Sequence, residues 1–212
     1  MAEITSERHH WWPKSLSRYW AGPDGCVTRL SWDQVETRKS PASFGISTHA
    51  HNIRLQGGWG GSFESTFEKA DGQFPALLDW LAALEPKALK QRADLTRRLT
   101  AQALPPERRR QLAECLASLI ARSPGFRNLI RLTVEDARTG PEEVAANKTL
   151  IAANVNGCYE KFARSIGGGG KFLVAYSGFG EFVFGDGFLH NFTSIGLAIE
   201  PICFVSLTLT CH

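Results

Sequence analysis

Leu16, Tyr19 and Trp20 recur at i, i+3 and i+4, one face of a helical turn, and Pro13 stands just ahead of them. A proline there opens a helix without losing a hydrogen bond. Gly22-Pro23-Asp24-Gly25 ends that short helix and turns the chain. Over 26–32 apolar and polar positions alternate, the period of a half-buried strand. From Ser62 the period lengthens: Phe63, Phe67, Leu77, Leu78, Trp80 and Leu81 predict helix to Leu84, with Gly72 and Pro75 dividing it into two. Residues 86–104, 107–121, 126–137 and 141–165 read as further helices, and Leu112, Leu116, Leu119 and Ile120 form a clear apolar stripe. The run Gly167 to Gly170 is expected to end the last helix and to connect it flexibly to the C-terminal segment. Beyond it, 171–176 and 181–184 predict short strands joined as a hairpin through 177–180, and 195–210 adds one or two strands around Pro201.

Strands at both ends and helices between them specify an α+β fold. The expected form is a central helical bundle packed with a small mixed or antiparallel sheet built from N-terminal and C-terminal strands. With 212 residues, no linker and no tandem repeat, a single domain over 1–212 is expected. Its parts are a β-rich segment 1–61, a helical middle 62–166 and a C-terminal β segment 167–212. Trp11, Trp12, Trp20 and Trp32, four of the six tryptophans, crowd the first 32 residues, and rings of that size anchor a segment against a core.

Composition narrows the class. A hydrophobic share of 43% with 21% charged residues excludes wholesale disorder. A formal charge of +3, from 24 basic and 21 acidic side chains, is too small to require a nucleic-acid or membrane partner. No apolar run reaches bilayer length, and residues 1–12 hold charges and histidines where a signal peptide needs an apolar block. Cys26, Cys115, Cys158, Cys203 and Cys211 are odd in number and contain no CxxC pair. They read as thiols in a reducing cytoplasm, with Cys115 in the core of its helix. The expected chain is cytoplasmic, with no membrane partner.

Candidate chemistry gathers at His10, Glu68, Arg122 and Asp186, each beside an element boundary or a turn. An imidazole and carboxylates share acid–base work while a guanidinium stabilises developing negative charge, a set suited to phosphodiester cleavage with or without a divalent metal. The same residue types also serve as helix caps and Asx-turns, which is the structural alternative. His49 and His51 have metal-like spacing, because i and i+2 on a strand share a face; a third ligand would come from His10, Asp186 or His190. Asp186, between Gly185 and Gly187 and close to His190 and Asn191, could hold a metal or orient water, or could simply end a strand. Gly167 to Lys171 is not a phosphate loop, since Ser165 and Phe172 stand where glycine and a hydroxyl residue are required. Arg108 to Arg110, Arg97, Arg98, Lys87 and Lys90 make the helical middle basic, but Glu85, Asp94, Glu107 and Glu114 are interspersed, so a solvated face is expected over a polyanion track.

The opening His9-His10-Trp11-Trp12-Pro13 and the Leu16 to Trp20 helix resemble the start of the bacterial "domain of unknown function 4238" family. Phe63-Glu64 to Glu68 is similar to that family's acidic helix start, 121–124 to its Arg-x-Pro helix end, and 181–187 to its strand ending in a small residue and Asp. The likeness spans most of the chain. It implies a fold and not an activity. With His212 inside or just after a β-rich run, the chain also reads as a shortened member.

Two functions emerge as expectations. One is a hydrolase of phosphodiester or nucleic-acid type, a nuclease acting in bacterial defence or toxicity through His10, Glu68, Arg122 and Asp186. The other is a non-catalytic module that binds a ligand or protein, or a second copy of itself, through the N-terminal tryptophans and Phe179, Phe182, Phe184, Phe188 and Phe192.

Overall fold

The computed structural model describes residues 7–31, 33–55, 58–84, 102–136, 144–172 and 174. The fold is α+β. β1 (Arg8–His10) pairs antiparallel with β4 (Ile46–Thr48), setting Arg8 opposite Thr48 and His10 opposite Ile46. β2 (Val27–Leu30) pairs with β3 (Glu36–Lys39), and β5 (Asn52–Leu55) with β6 (Gly58–Ser62) across an irregularity at Ile53/Arg54. Among the described residues these pairs make three separate two-stranded sheets and not one shared sheet. The C-terminal strands expected to join them fall outside the described residues, except Lys171, Phe172 and Val174, which belong to no strand.

Pro13 leads into α1 (Lys14–Ser17), which tightens into a 3-10 turn over Arg18–Trp20. Leu16 and Trp12 are buried, Trp20 stands edge-on to Trp12 with ring centroids 5.4 Å apart, and Tyr19 and Trp11 pack on the same cluster. The segment from Trp11 to Trp20 is packed down as its tryptophans predict; residues 1–6 and Trp32 lie outside the described residues. Gly45 closes this region. Its carbonyl accepts from Trp11 N–H at 2.8 Å, its φ is +66°, and a Cβ there would stand 2.5 Å from Trp12 Cβ.

α2 (Ser65–Ala82) is one continuous helix, not the two expected around Gly72 and Pro75. Proline at 75 has no N–H to offer the carbonyl of Asp71 four residues earlier. The Ser15 hydroxyl donates to that carbonyl instead, at 3.4 Å, so a tertiary contact replaces the missing helical bond. The buried stripe Phe67, Ala70, Phe74, Leu77, Leu78 and Leu81 then holds the helix to the core over its whole length.

α3 (Pro106–Arg122) opens with proline in its first turn and buries Leu112, Ala113, Cys115, Leu119 and Ile120. Ser123 accepts the N–H of Phe126 at 3.2 Å, starting α4 (Pro124–Asp136) with a serine cap and a proline next to it. α5 (Val144–Gly169) runs beyond its expected end at Ser165, with Gly167, Gly168 and Gly169 still helical. A Cβ at Gly167 would make ordinary contact with Ala113 Cβ on α3, at 3.4 Å, so α5 still packs along α3 at this point. The helix ends at Gly170, where a Cβ would meet the Ile166 carbonyl oxygen at 2.3 Å. The helix expected over 86–104 lies, but for 102–104, outside the described residues.

α3 lies at the centre, packed against α2, α4 and α5. One apolar cluster joins Trp12, Leu16, Phe44, Phe74, Leu78 and Leu119; a second joins Phe63, Phe67, Ala121, Ile130, Val155 and Tyr159. Among the described residues no helix is long and apolar enough to cross a membrane.

Candidate active site

α2 starts just after Phe63-Glu64, so Glu64, Glu68 and Asp71 come at steps of four and three and share one helix face. Ser62 Oγ accepts the Glu64 N–H at 3.2 Å and fixes the approach to the helix. Across from this face stands Arg122, in the last turn of α3 and only 1% exposed. Its Nη1 and Nη2 donate to Asp71 Oδ2 and Oδ1 at 3.0 and 2.6 Å, a bidentate pair. Nε donates to the Ser118 carbonyl at 3.3 Å and Nη1 also to the His10 carbonyl at 3.4 Å, while the guanidinium lies 4.9 Å over the Phe67 ring. One side chain thus ties α2, α3 and β1 together. Its expected role at a helix end survives only in the Ser118 contact.

His10 ends β1, with Nδ1 3.2 Å from the Phe44 carbonyl. A carbonyl can only accept, so Nδ1 carries the proton and Nε2 keeps its lone pair. Burial pushes the His10 pKa below its ordinary value; the Phe44 contact opposes this, Arg122 and Lys14 add to the lowering, and Asp71 resists it. The ring is therefore held in its neutral form, with its lone pair on Nε2. His10, Lys14, Glu64, Glu68, Asp71 and Arg122 line one cleft of about 270 Å³. Three of the four expected catalytic residues therefore meet, brought from β1, α2 and α3. Asp186 lies outside the described residues, as do Asn191 and His190.

Glu64 also faces inward. His9, on the opposite side of β1 from His10 and 0% exposed, sets Nε2 3.4 Å from Glu64 Oε2. His51, 1% exposed, packs its ring 4.9 Å from that of His9 and 5.4 and 5.1 Å from Phe63 and Phe67. The His51 backbone N–H reaches His9 Nδ1 at 3.4 Å. Among the described residues His9 Nε2 and both ring nitrogens of His51 have no hydrogen-bond partner. One ligand atom each from His9, His51 and Glu64 lies within 4.8 Å of the others, a group that could hold a metal ion. Burial lowers the His9 pKa, helped by charge on His49 and Arg127, and lowers that of His51 well below its usual value, helped by Arg122, His9 and Arg127. Glu64 moves the other way: burial first, then Glu68 and Asp71, raise it against the pull of Arg122.

The expected His49–His51 pair is corrected. Both residues lie in the turn between β4 and β5, not on a strand, and His49 has φ +53°. Its Nδ1 sits 3.0 Å from Asn52 Nδ2 while His51 turns into the core, so i and i+2 do not share a face. The ring beside His51 belongs to His9, which the spacing of the histidines does not single out. Strand alternation carries a signal for it, since neighbouring histidines on a strand face opposite sides and one of them goes inward.

The arginine run is partly occupied within the fold. Arg108 lies over the Trp80 ring and donates to Gln111, and Arg109 donates to the Gly170 carbonyl at 2.9 Å and lies over Phe172. Cys115 is buried and its thiol is pushed up to about 12, chiefly by burial, so it is a core residue and no nucleophile. Of the aromatics expected to bind a partner, Trp12 is buried and Trp11 packs against Phe44, whereas 179–192 lie outside the described residues. No family model matches the chain, and neither a curated protein nor a solved structure matches it.

Proposed function

We propose that the cleft at the start of α2 is the catalytic site of a hydrolase that cleaves phosphodiesters, with nucleic acid as the substrate class. The supporting observation is the meeting of His10, Glu68 and Arg122, from three separate parts of the chain, on one cleft. In this reading His10 Nε2 takes the proton of the attacking water, Glu68 holds that water, and Lys14 faces the phosphate charge. Arg122, buried and engaged with Asp71, acts as a positioning residue and keeps β1 against α2. Three carboxylates face two cations in the cleft, and a bare phosphodiester would be repelled. The reaction therefore calls for a divalent cation. The proposed kinship with the "domain of unknown function 4238" family bears on the fold and adds no activity.

The test is incubation of the full chain with RNA and with DNA, with added divalent metal and with chelator, beside His10→Asn and Glu68→Gln. Each substitution should lower cleavage by roughly 10²-fold or more while the thermal midpoint stays in place. Absence of metal-dependent cleavage, or full activity in His10→Asn, overturns the proposal.

A further inference from the structure

Beneath the cleft lies a group that this proton transfer does not use. An imidazole nitrogen buried without a partner forfeits the hydrogen bonds it makes to water in the unfolded chain. His9 Nε2, His51 Nδ1 and His51 Nε2 are all in that state among the described residues, and a carboxylate oxygen stands 3.4 Å from the first. Apolar packing alone has no need of two histidines at 0% and 1% exposure beside a glutamate.

We propose that His9, His51 and Glu64 bind a zinc-class divalent transition-metal ion at the floor of the cleft, with a fourth coordination position open to it. Two imidazoles and one carboxylate are donors for zinc, cobalt or iron, not for magnesium or calcium, which prefer oxygen alone. Ligand atoms held about 2 Å from a tetrahedral ion stand about 3.3 Å apart. His9 Nε2 and Glu64 Oε2 already meet that spacing at 3.4 Å, and the whole set spans at most 4.8 Å, so closure needs small side-chain shifts. The ligands come from β1, the turn before β5 and the residue preceding α2, so the ion clamps three separate segments. The histidines are sealed off, whereas the Glu64 side chain is 36% exposed and lines the cleft, which puts the open position on that side. Three protein ligands with one open position is the arrangement of catalytic rather than structural zinc.

In the free protein the His51 amide at His9 Nδ1 leaves the ring proton on Nε2, facing Glu64. An ion at Nε2 leaves the ring proton on Nδ1, where it would face the His51 N–H, so that 3.4 Å contact, already long for a hydrogen bond, opens. Binding stands independently of the reaction proposed above; only the use of an ion-bound water to attack a phosphodiester rests on that reading.

The experiment strips the full chain of metal and titrates it with zinc by calorimetry and with cobalt by visible absorption. One ion per chain is expected, with the intense visible bands of four-coordinate cobalt and a band shift when azide enters the open position. His51→Phe keeps a ring between Phe63 and Phe67 and should remain folded by circular dichroism, yet lose zinc affinity by more than the 10–100-fold typical of an outer-sphere change. His10→Asn should keep the ion and lose hydrolysis. Equal zinc binding by wild type and His51→Phe, or none by wild type, overturns the site whatever the nuclease assay gives. Zinc lost on His51→Phe without any cleavage of nucleic acid sustains the site and sinks the hydrolase reading alone.

Discussion

Asp71→Asn tests whether the Arg122 pair organises the cleft. The change preserves shape, keeps one acceptor oxygen and turns the other into an amide that points donors at a guanidinium only 1% exposed. Breaking a buried ion pair by removing one partner costs about 3–5 kcal/mol, because the remaining charge stays desolvated. Two observations reduce that figure. The Asp71 side chain is itself 36% exposed, so water already screens the pair, and Arg122 keeps the Ser118 and His10 carbonyls and the Phe67 face. A loss of about 2 kcal/mol remains, or about 4–8 °C in the thermal midpoint for a chain of this size. Arg122→Met removes the buried charge and leaves Asp71 facing water, so Asp71→Asn in that background should cost under about 0.5 kcal/mol. Urea unfolding of the wild type, both single variants and the double variant measures the cycle, with an unchanged m-value as the control. Equal costs of Asp71→Asn in both backgrounds would refute the reasoning.

Acid should weaken the metal-free protein. His9, His10 and His51 have folded pKa values below their ordinary 6.5, so below that pH the unfolded chain binds more protons and stability falls. The slope reaches at most about 1.4 kcal/mol per pH unit for each histidine, and raised Glu64 offsets part of it by holding its proton longer in the fold. Urea midpoints from pH 7 to 5 check this, and a flat profile would contradict it. Cys115, with its thiol near 12, should resist a thiol reagent until urea unfolds the chain, while half-buried Cys26 and Cys158 react first; peptide mass spectrometry reads the order. Gly45→Ala places a Cβ 2.5 Å from Trp12 Cβ at φ +66° and should cost more than about 2 kcal/mol, with a shift in tryptophan emission; a near-neutral change would count against the close approach.

The helices are largely legible in the chain because their signals are local. α3 and α4 carry apolar stripes and begin at Pro106 and Ser123-Pro124, so their expected bounds lie within a few residues of the observed ones. One error arises where a distant residue changes the outcome. Pro75 reads as a break until Ser15, far earlier in the chain, supplies a donor to the Asp71 carbonyl. Gly167 to Gly169 read as a stop, yet α5 stays helical through them to its last residue, Gly169. The site divides in the same way. His10, Glu68 and Arg122 attract notice at element ends, and Arg122 proves to be engaged with Asp71, a mid-helix carboxylate that no local pattern distinguishes from its neighbours. His9 needs the β1–β4 register to show which of two adjacent histidines turns inward, and His51 needs the turn at His49 that rotates it away from its supposed partner.

Glu64 joins the cleft to the buried histidines, and its electrostatics link the two proposals. At the start of α2 it is half-buried and crowded by Glu68 and Asp71, and of these Asp71 is directly compensated, by Arg122; the result, chiefly of burial, is a carboxyl that holds its proton more tightly than usual. Inward, the same group faces two imidazoles that burial keeps neutral. A divalent ion between them reverses the first tendency by favouring an ionised Glu64 and exploits the second, since only a neutral imidazole offers the lone pair that binds it. Protons and the ion must therefore compete for the same atoms. Zinc affinity should hold near neutrality and fall only below the ordinary histidine range, because burial lowers both imidazoles, and Glu64→Gln, which cannot ionise, should bind weakly and show a flatter pH dependence. If Glu64→Gln matched the wild-type pH profile, the carboxylate would not be a ligand, and the cleft and the histidines would be unrelated features of the fold.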